Sequence, residues 1–315
     1  MKKRVPAAVA AAILTILIAA PSPAAAPRVV ATIKPIHSLV AGVMAGVARP
    51  ALLIEGASSP HAYHLRPSDA RALADAELVV RVGVAFETFL DRPLANLAGQ
   101  ARVLSLDQLP DMVLLPARQG GVWEPKERES GRVEVGHDHA HAEFNLHLWL
   151  DPHNARVVVR HLVAVLSELD PAAGAVYRRN GAALERRLAD LDARLGRQLT
   201  PLRGVPYLVF HDAYPYLENR YGLRPLGTIT VSADRPPGAR RLAEIQARMA
   251  ATGARCVFRE PQFEPKLAAL LVAGTSARLG ILDPLGADLP PGPDAYFELM
   301  ERLADNLQRC LAPES

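Results

Sequence analysis

Short apolar runs alternate with stretches of helical periodicity along this chain, and that alternation leaves few architectures open. Strand-like runs fall at 29–33, 51–54 and 78–82, and again at 207–210, 226–230, 256–258 and 279–282. Helical patterns lie among them, one opened by Pro67-Ser68-Asp69-Ala70 and others over about 237–252, 264–274 and 294–311. A helix also starts at Asp151-Pro152, with Asp151 or Asn154 as its N-cap. One element breaks the rhythm. From Pro171 to about Leu199, Leu184, Leu188, Leu191 and Leu195 recur at helical spacing, and Gly204 and Pro206 mark the end. At ~1.5 Å per residue this helix spans about 40 Å, which suits a strut between two lobes. The predicted fold is α/β, two lobes with mainly parallel sheets joined by a long rigid helix. Boundaries are set at 27–170, 171–203 and 204–315, with an irregular, charged loop at 118–143 inside the first lobe.

The first residues read as a leader rather than as part of the fold. Lys2, Lys3 and Arg4 precede an apolar run, and Pro21 to Ala26 supplies small residues for cleavage, as in a Sec signal peptide. The apolar run is shorter than the ~20 residues a membrane span needs. No cysteine stands near the cleavage site to carry a lipid. Removing residues 1–26 takes three of the 36 basic residues, leaving 33 against 33 acidic ones. A neutral chain with few aromatics offers no electrostatic footing for nucleic acid. The expectation is an exported, soluble, monomeric protein.

Export bears on Cys256 and Cys310, because disulfides persist outside the cytoplasm. One bridge pinning the C-terminal helix to a strand is predicted. Two free buried thiols and a two-cysteine metal site are the alternatives.

Ligands of open α/β sheets bind beyond the carboxyl ends of the strands. His61 lies in the loop after the 51–54 run, and His211 directly follows Leu208-Val209-Phe210. Glu260 and Asp283 follow the 256–258 and 279–282 runs, and His147 comes from the irregular segment before the connecting helices. Three neutral imidazoles in one cleft would suit zinc, with Asp283 or water as fourth ligand. A carboxylate in place of His211 would favour harder manganese. Asp212 and Glu260 are candidate carboxylates to hold the imidazole tautomers, and His37 lies near the same strand ends. Protonation of such histidines would weaken zinc binding as pH falls towards ~6. The run His137, His139 and His141 is a separate, weaker metal-binding candidate; a plain solvated loop is its alternative.

At these residues the sequence resembles the periplasmic zinc-binding proteins of high-affinity zinc ABC transporters, a metal-binding class of solute-binding proteins. The most specific pieces are Gly56 to Asp69 (GASSPHAYHLRPSD), His147 to Pro152 (HLWLDP), Val209 to Tyr214 (VFHDAY), Arg259 to Phe263 (REPQF) and Leu282 to Gly286 (LDPLG). The resemblance implies a metal site between two lobes, ligand roles for His61, His147 and His211, and a disulfide at Cys256 and Cys310. It departs at Pro60, where some relatives carry an acidic residue, and at Asn145, where relatives often have Asp. The implied function is non-enzymatic capture of Zn2+ for a membrane permease driven by a cytoplasmic ATPase. Manganese or iron uptake on the same fold, and a zinc-dependent hydrolase, are the competing readings.

Overall fold

The computed structural model describes residues 26–118, 143–230 and 237–313. The leader up to residue 25 and the His137, His139 and His141 run lie outside the described residues.

Two four-stranded sheets form the framework. The first contains β1 (Val29–Ala31), β2 (Ala51–Leu52), β3 (Leu78–Arg81) and β4 (Arg102–Ser105), in the order β2-β1-β3-β4. The second contains β5 (Tyr207–Val209), β6 (Gly227–Thr228), β7 (Cys256–Arg259) and β8 (Arg278–Ile281), in the order β6-β5-β7-β8. Every pairing is parallel. The two orders are the same, so the lobes repeat one topology without a visible sequence repeat. In each sheet the chain order reverses beside the first strand, which opens a crevice at the carboxyl ends. Buried strands such as β1 and β3 are covered on both faces and read as unbroken apolar runs.

Nine helices surround the sheets among the described residues. These are α1 (Lys34–Val43), α2 (Pro67–Asp75), α3 (Asp91–Leu97), α4 (Pro152–Leu169), α5 (Gly174–Leu199), α6 (Pro215–Tyr221), α7 (Ala239–Thr252), α8 (Lys266–Val272) and α9 (Ala295–Leu311). Asp151 caps α4 by accepting from the His153 N–H at 2.8 Å. Asn154 instead braces the 113 backbone, where Val113 N–H donates to its Oδ1 at 3.0 Å. The strut α5 follows a 3-10 turn at Pro171–Ala173 and buries Leu184, Leu188, Leu191, Leu195 and Leu199 on one face. At Gly181 it meets α4 so closely that a Cβ would stand 2.3 Å from Val163 Cγ2.

The strut has a companion. Helix α9 packs on α5 and α1 as well as on β8. Arg187 pairs with Asp294 and Arg194 with Glu301, both at 2.7 Å and both 107 residues apart. The constant offset means α5 and α9 run parallel. These exposed pairs each contribute at most about 1 kcal/mol, so buried leucines carry the packing. Tyr296 N–H donates to Ser38 Oγ on α1, and its hydroxyl to the Trp149 carbonyl. Cys256 on β7 is disulfide-bonded to Cys310 on α9, as the export argument predicts, with Cα atoms 6.1 Å apart. One apolar cluster runs from β1 and β3 through α5 into Tyr207, Val209 and Phe258 of the second sheet. The two lobes therefore share a core, which limits how far either can swing. Among the described residues, no helix is long and apolar enough to cross a membrane.

Candidate metal centre

His61 comes from a loop that its own sequence folds. Ser59 Oγ accepts from the His61 N–H, opening a 3-10 turn at Pro60–Ala62. Beyond it, Asp69 accepts from the Tyr63 hydroxyl and the Arg66 N–H, both at 2.8 Å, and the Tyr63 hydroxyl oxygen lies 3.2 Å from the Leu53 carbonyl. The 56–69 motif is thus a scaffold that anchors the His61 loop to the end of β2 and the start of α2.

His147 is set by a different device. Asn145 Oδ1 accepts from the His147 N–H at 3.0 Å and lies 3.1 Å from His147 Nδ1, so Nδ1–H donates to the amide oxygen. The Asn145 carbonyl accepts from the Tyr216 hydroxyl at 2.6 Å. A 3-10 turn at Leu148–Leu150 then buries Trp149, whose indole N–H donates to the Pro284 carbonyl across the cleft. His211 leaves the end of β5, and Glu260 leaves the end of the adjacent β7. His211 Nδ1 stands 2.8 Å from Glu260 Oε1 and donates to it.

The three imidazoles converge. Each offers a nitrogen, and these atoms all lie within 4.8 Å of one another. Because Nδ1–H of both His147 and His211 is donated outward, each Nε2 keeps its lone pair facing inward. Those two Nε2 atoms are 3.2 Å apart. Two zinc-bound nitrogens at ~2.0–2.1 Å and a tetrahedral angle stand roughly 3.3 Å apart, so the spacing fits a shared cation. Without one, two lone pairs face each other at that distance.

The surroundings are dry. Phe86 meets the edges of His61 and His147, Trp149 flanks His147, and Phe263 flanks His211, with ring centroids 4.9–5.6 Å apart. Burial holds the His61 pKa down to about 3, with His211 adding to the effect. Burial likewise pushes His147 well below its ordinary value, helped by His211 and His61. Both rings therefore stay neutral and ready to coordinate at neutral pH. The cavity among the rings is about 10 Å³, room for about one water or one ion. Ser59, Pro60, Glu260, Gln262, Pro284 and Leu285 complete its lining.

The family described as zinc-uptake complex component A, periplasmic, matches residues 29–310. The chain belongs to this family. It is 40% identical over 305 residues to the high-affinity zinc uptake system protein ZnuA of Brucella suis biovar 1 (strain 1330), covering 90% of this chain and 91% of that one. It is 37% identical over 302 residues to the protein of the same name from Yersinia pestis, covering 94% and 95%. A crystal structure of ZnuA superposes with a TM-score of 0.76 over 91% of this chain and 100% of that one. At 24% identity that likeness speaks to the fold.

In this zinc-uptake family member the remaining predicted residues take other places. Asp283 is outside the group whose donor atoms meet. Its carboxylate accepts from the N–H groups of Leu285 and Ala287 and from Gln262 Nε2, which folds the loop 283–287. Lys34 grips that loop from the first lobe through the Gly286 and Ala287 carbonyls. Asp212 pairs with Arg118, and its carbonyl accepts from Asn145 Nδ2 at 2.6 Å. His37 donates from Nε2 to the Pro50 carbonyl, tying α1 to the approach to β2. Phe86 and Phe263 were not singled out from sequence. Phe86 follows β3 and could have been found by the same strand-end rule that marked the histidines.

Proposed function

We propose that this chain captures Zn2+ in the periplasm and delivers it to the membrane permease of an ATP-driven uptake system. His61, His147 and His211 are the metal ligands in this reading. Water takes the fourth position, because Asp283 lies outside the group whose donor atoms meet and its carboxylate is turned to its own loop. Glu260 and Asn145 hold the tautomers of His211 and His147. The observation that carries the reading is the convergence of three imidazoles with two inward lone pairs at tetrahedral spacing.

The protein acts as a soluble monomer without catalysis. The cavity of about 10 Å³ among the rings is of a size for one ion or one water. Glu260, a candidate general base in the cavity lining, accepts from His211 Nδ1 through its Oε1. Three imidazole donors also favour zinc over manganese, which prefers oxygen ligands.

Glu260→Gln tests the support of His211. The amide can still accept from Nδ1, but the negative charge behind the ring is lost. Zinc affinity should fall about 10-fold to 100-fold in chelator competition. Unchanged affinity would remove Glu260 from the account.

The pH dependence follows from the depressed histidines. A free imidazole titrates near 6.5, whereas His61 in the fold resists protonation down to about 3. Between those values the unfolded chain binds protons that the folded one refuses. Stability of the metal-free protein is therefore full above ~6.5 and declines as pH falls through that window. For the same reason proton competition with zinc sets in below the ~6 predicted from ordinary histidines. From pH 7 to 5.5, zinc affinity should fall by less than about tenfold, while the metal-free melting temperature drops. Three ordinary histidines would lose about a thousandfold over that range, and such a loss would show that the rings are solvated.

A further inference from the structure

We infer that Arg118 is a positioning residue for the metal centre, acting on His147 and His211 through Asp212 and Asn145. The inference rests on the zinc reading above.

Arg118 stands beside the residue that follows His211 in the chain. Its guanidinium bridges two carboxylates, Asp212 and, at 2.8 Å, Glu218 of α6. Glu218 is almost wholly buried, and desolvation pushes its carboxyl up to about 7 against the pull of Arg118. Two carboxylates held this close repel unless a cation stands between them. Asp212 is one peptide bond from His211. Its carbonyl accepts from Asn145 Nδ2 at 2.6 Å, with its own Oδ2 at 3.5 Å from the same nitrogen. The other end of that amide accepts from His147 Nδ1 at 3.1 Å. An unbroken line of polar contacts thus runs from Arg118 through Asp212 and Asn145 to His147, and it touches the residue beside His211 on the way.

The arrangement also explains the amide at position 145. One end must donate to Asp212 while the other accepts from His147. A carboxylate could do only the second, and would set its charge against the Asp212 oxygens. Arg118 fixes where Asp212 sits, Asp212 fixes Asn145, and Asn145 sets the rotation of the His147 ring. The 3.2 Å separation of the two Nε2 atoms depends on that rotation. Removing the guanidinium leaves Asp212 and Glu218 facing each other without compensation.

The test compares the wild type with Arg118→Met, Arg118→Lys and Asn145→Asp. Each metal-free protein is titrated with zinc against a chelator, and each is loaded with Co2+ to record the ligand-field absorption bands. We expect Arg118→Met to weaken zinc binding by about tenfold or more and to shift the cobalt bands. Arg118→Lys should restore part of both, since an ammonium carries the charge without the planar fork. Asn145→Asp should also bind more weakly. Wild-type affinity and cobalt bands in Arg118→Met, with only a lower melting temperature, would mean a structural role and overturn the inference. Should Arg118→Met fail to fold, wild-type affinity in Asn145→Asp overturns it instead. A wild type without a tight zinc site overturns the zinc reading and the inference together, so the two failures are distinguishable.

Discussion

His147→Ala will remove tight zinc binding and leave the fold standing. The ligand set falls from three imidazoles and a water to two imidazoles and a water. Structural zinc sites bind with about 10–16 kcal/mol, so one ligand in four represents about 3–4 kcal/mol, or a hundredfold to a thousandfold in affinity. The structural cost should be smaller. Asn145 Oδ1 keeps the backbone N–H of residue 147 as a donor, so the truncation leaves no orphaned acceptor there. Trp149 and Leu150, which root the segment in the core, are untouched. His37→Ala is the matched control, since His37 reaches Pro50 and not the three rings. Chelator competition and melting with and without zinc check both. If His147→Ala binds like the wild type, His147 is no ligand.

Loss of the disulfide will destabilise the protein without abolishing zinc binding. Cys256 and Cys310 are 54 residues apart, and closing such a loop contributes about 4 kcal/mol in the chain-entropy model, typically 2–4 in practice. The bond ties α9, which packs on α1 and α5, back to β7 of the second sheet. Glu260 sits just beyond β7, but it is held by His211, so the metal site should survive. Cys256→Ser, Cys310→Ser and the double variant should show the same loss in denaturant unfolding, because each removes one and the same bond. A double variant losing the sum of the singles would assign the effect to packing of the two buried sulfurs rather than to the cross-link.

Some of this architecture was legible in the sequence for physical reasons. β1, β3, β5 and β7 are buried strands and show as apolar runs. The strut α5 shows because its leucines keep helical phase over 26 residues. β4 was missed because only Leu104 of Arg102–Ser105 is buried, so no apolar run marks it. α1 was missed because Lys34-Pro35-Ile36-His37 follows β1 almost at once, and both are buried, so one apolar stretch hides two elements. The partnership of α9 with α5 depends on contacts 107 residues apart, which no local pattern encodes.

The site was legible to a similar depth. The strand-end rule marked His61 and His211, whose donor atoms meet, and Glu260, which accepts from His211. The same rule marked Asp283, whose carboxylate turns instead to Gln262 and the backbone of its own loop. Whether a carboxylate at a strand end points into the cleft or caps its own turn depends on the next four residues. In Asp283-Pro284-Leu285-Gly286-Ala287 the turn takes it, through the N–H groups of Leu285 and Ala287. The roles of Arg118 and Asn145 were hidden because they act through other residues, across separations that sequence spacing does not report.

The most direct measurement is a metal titration of the protein stripped of metal, with zinc and manganese each competing against a chelator of known affinity. The account predicts one tight zinc site per chain and manganese binding weaker by orders of magnitude. Preferential manganese binding, or no tight site for either metal, would contradict it.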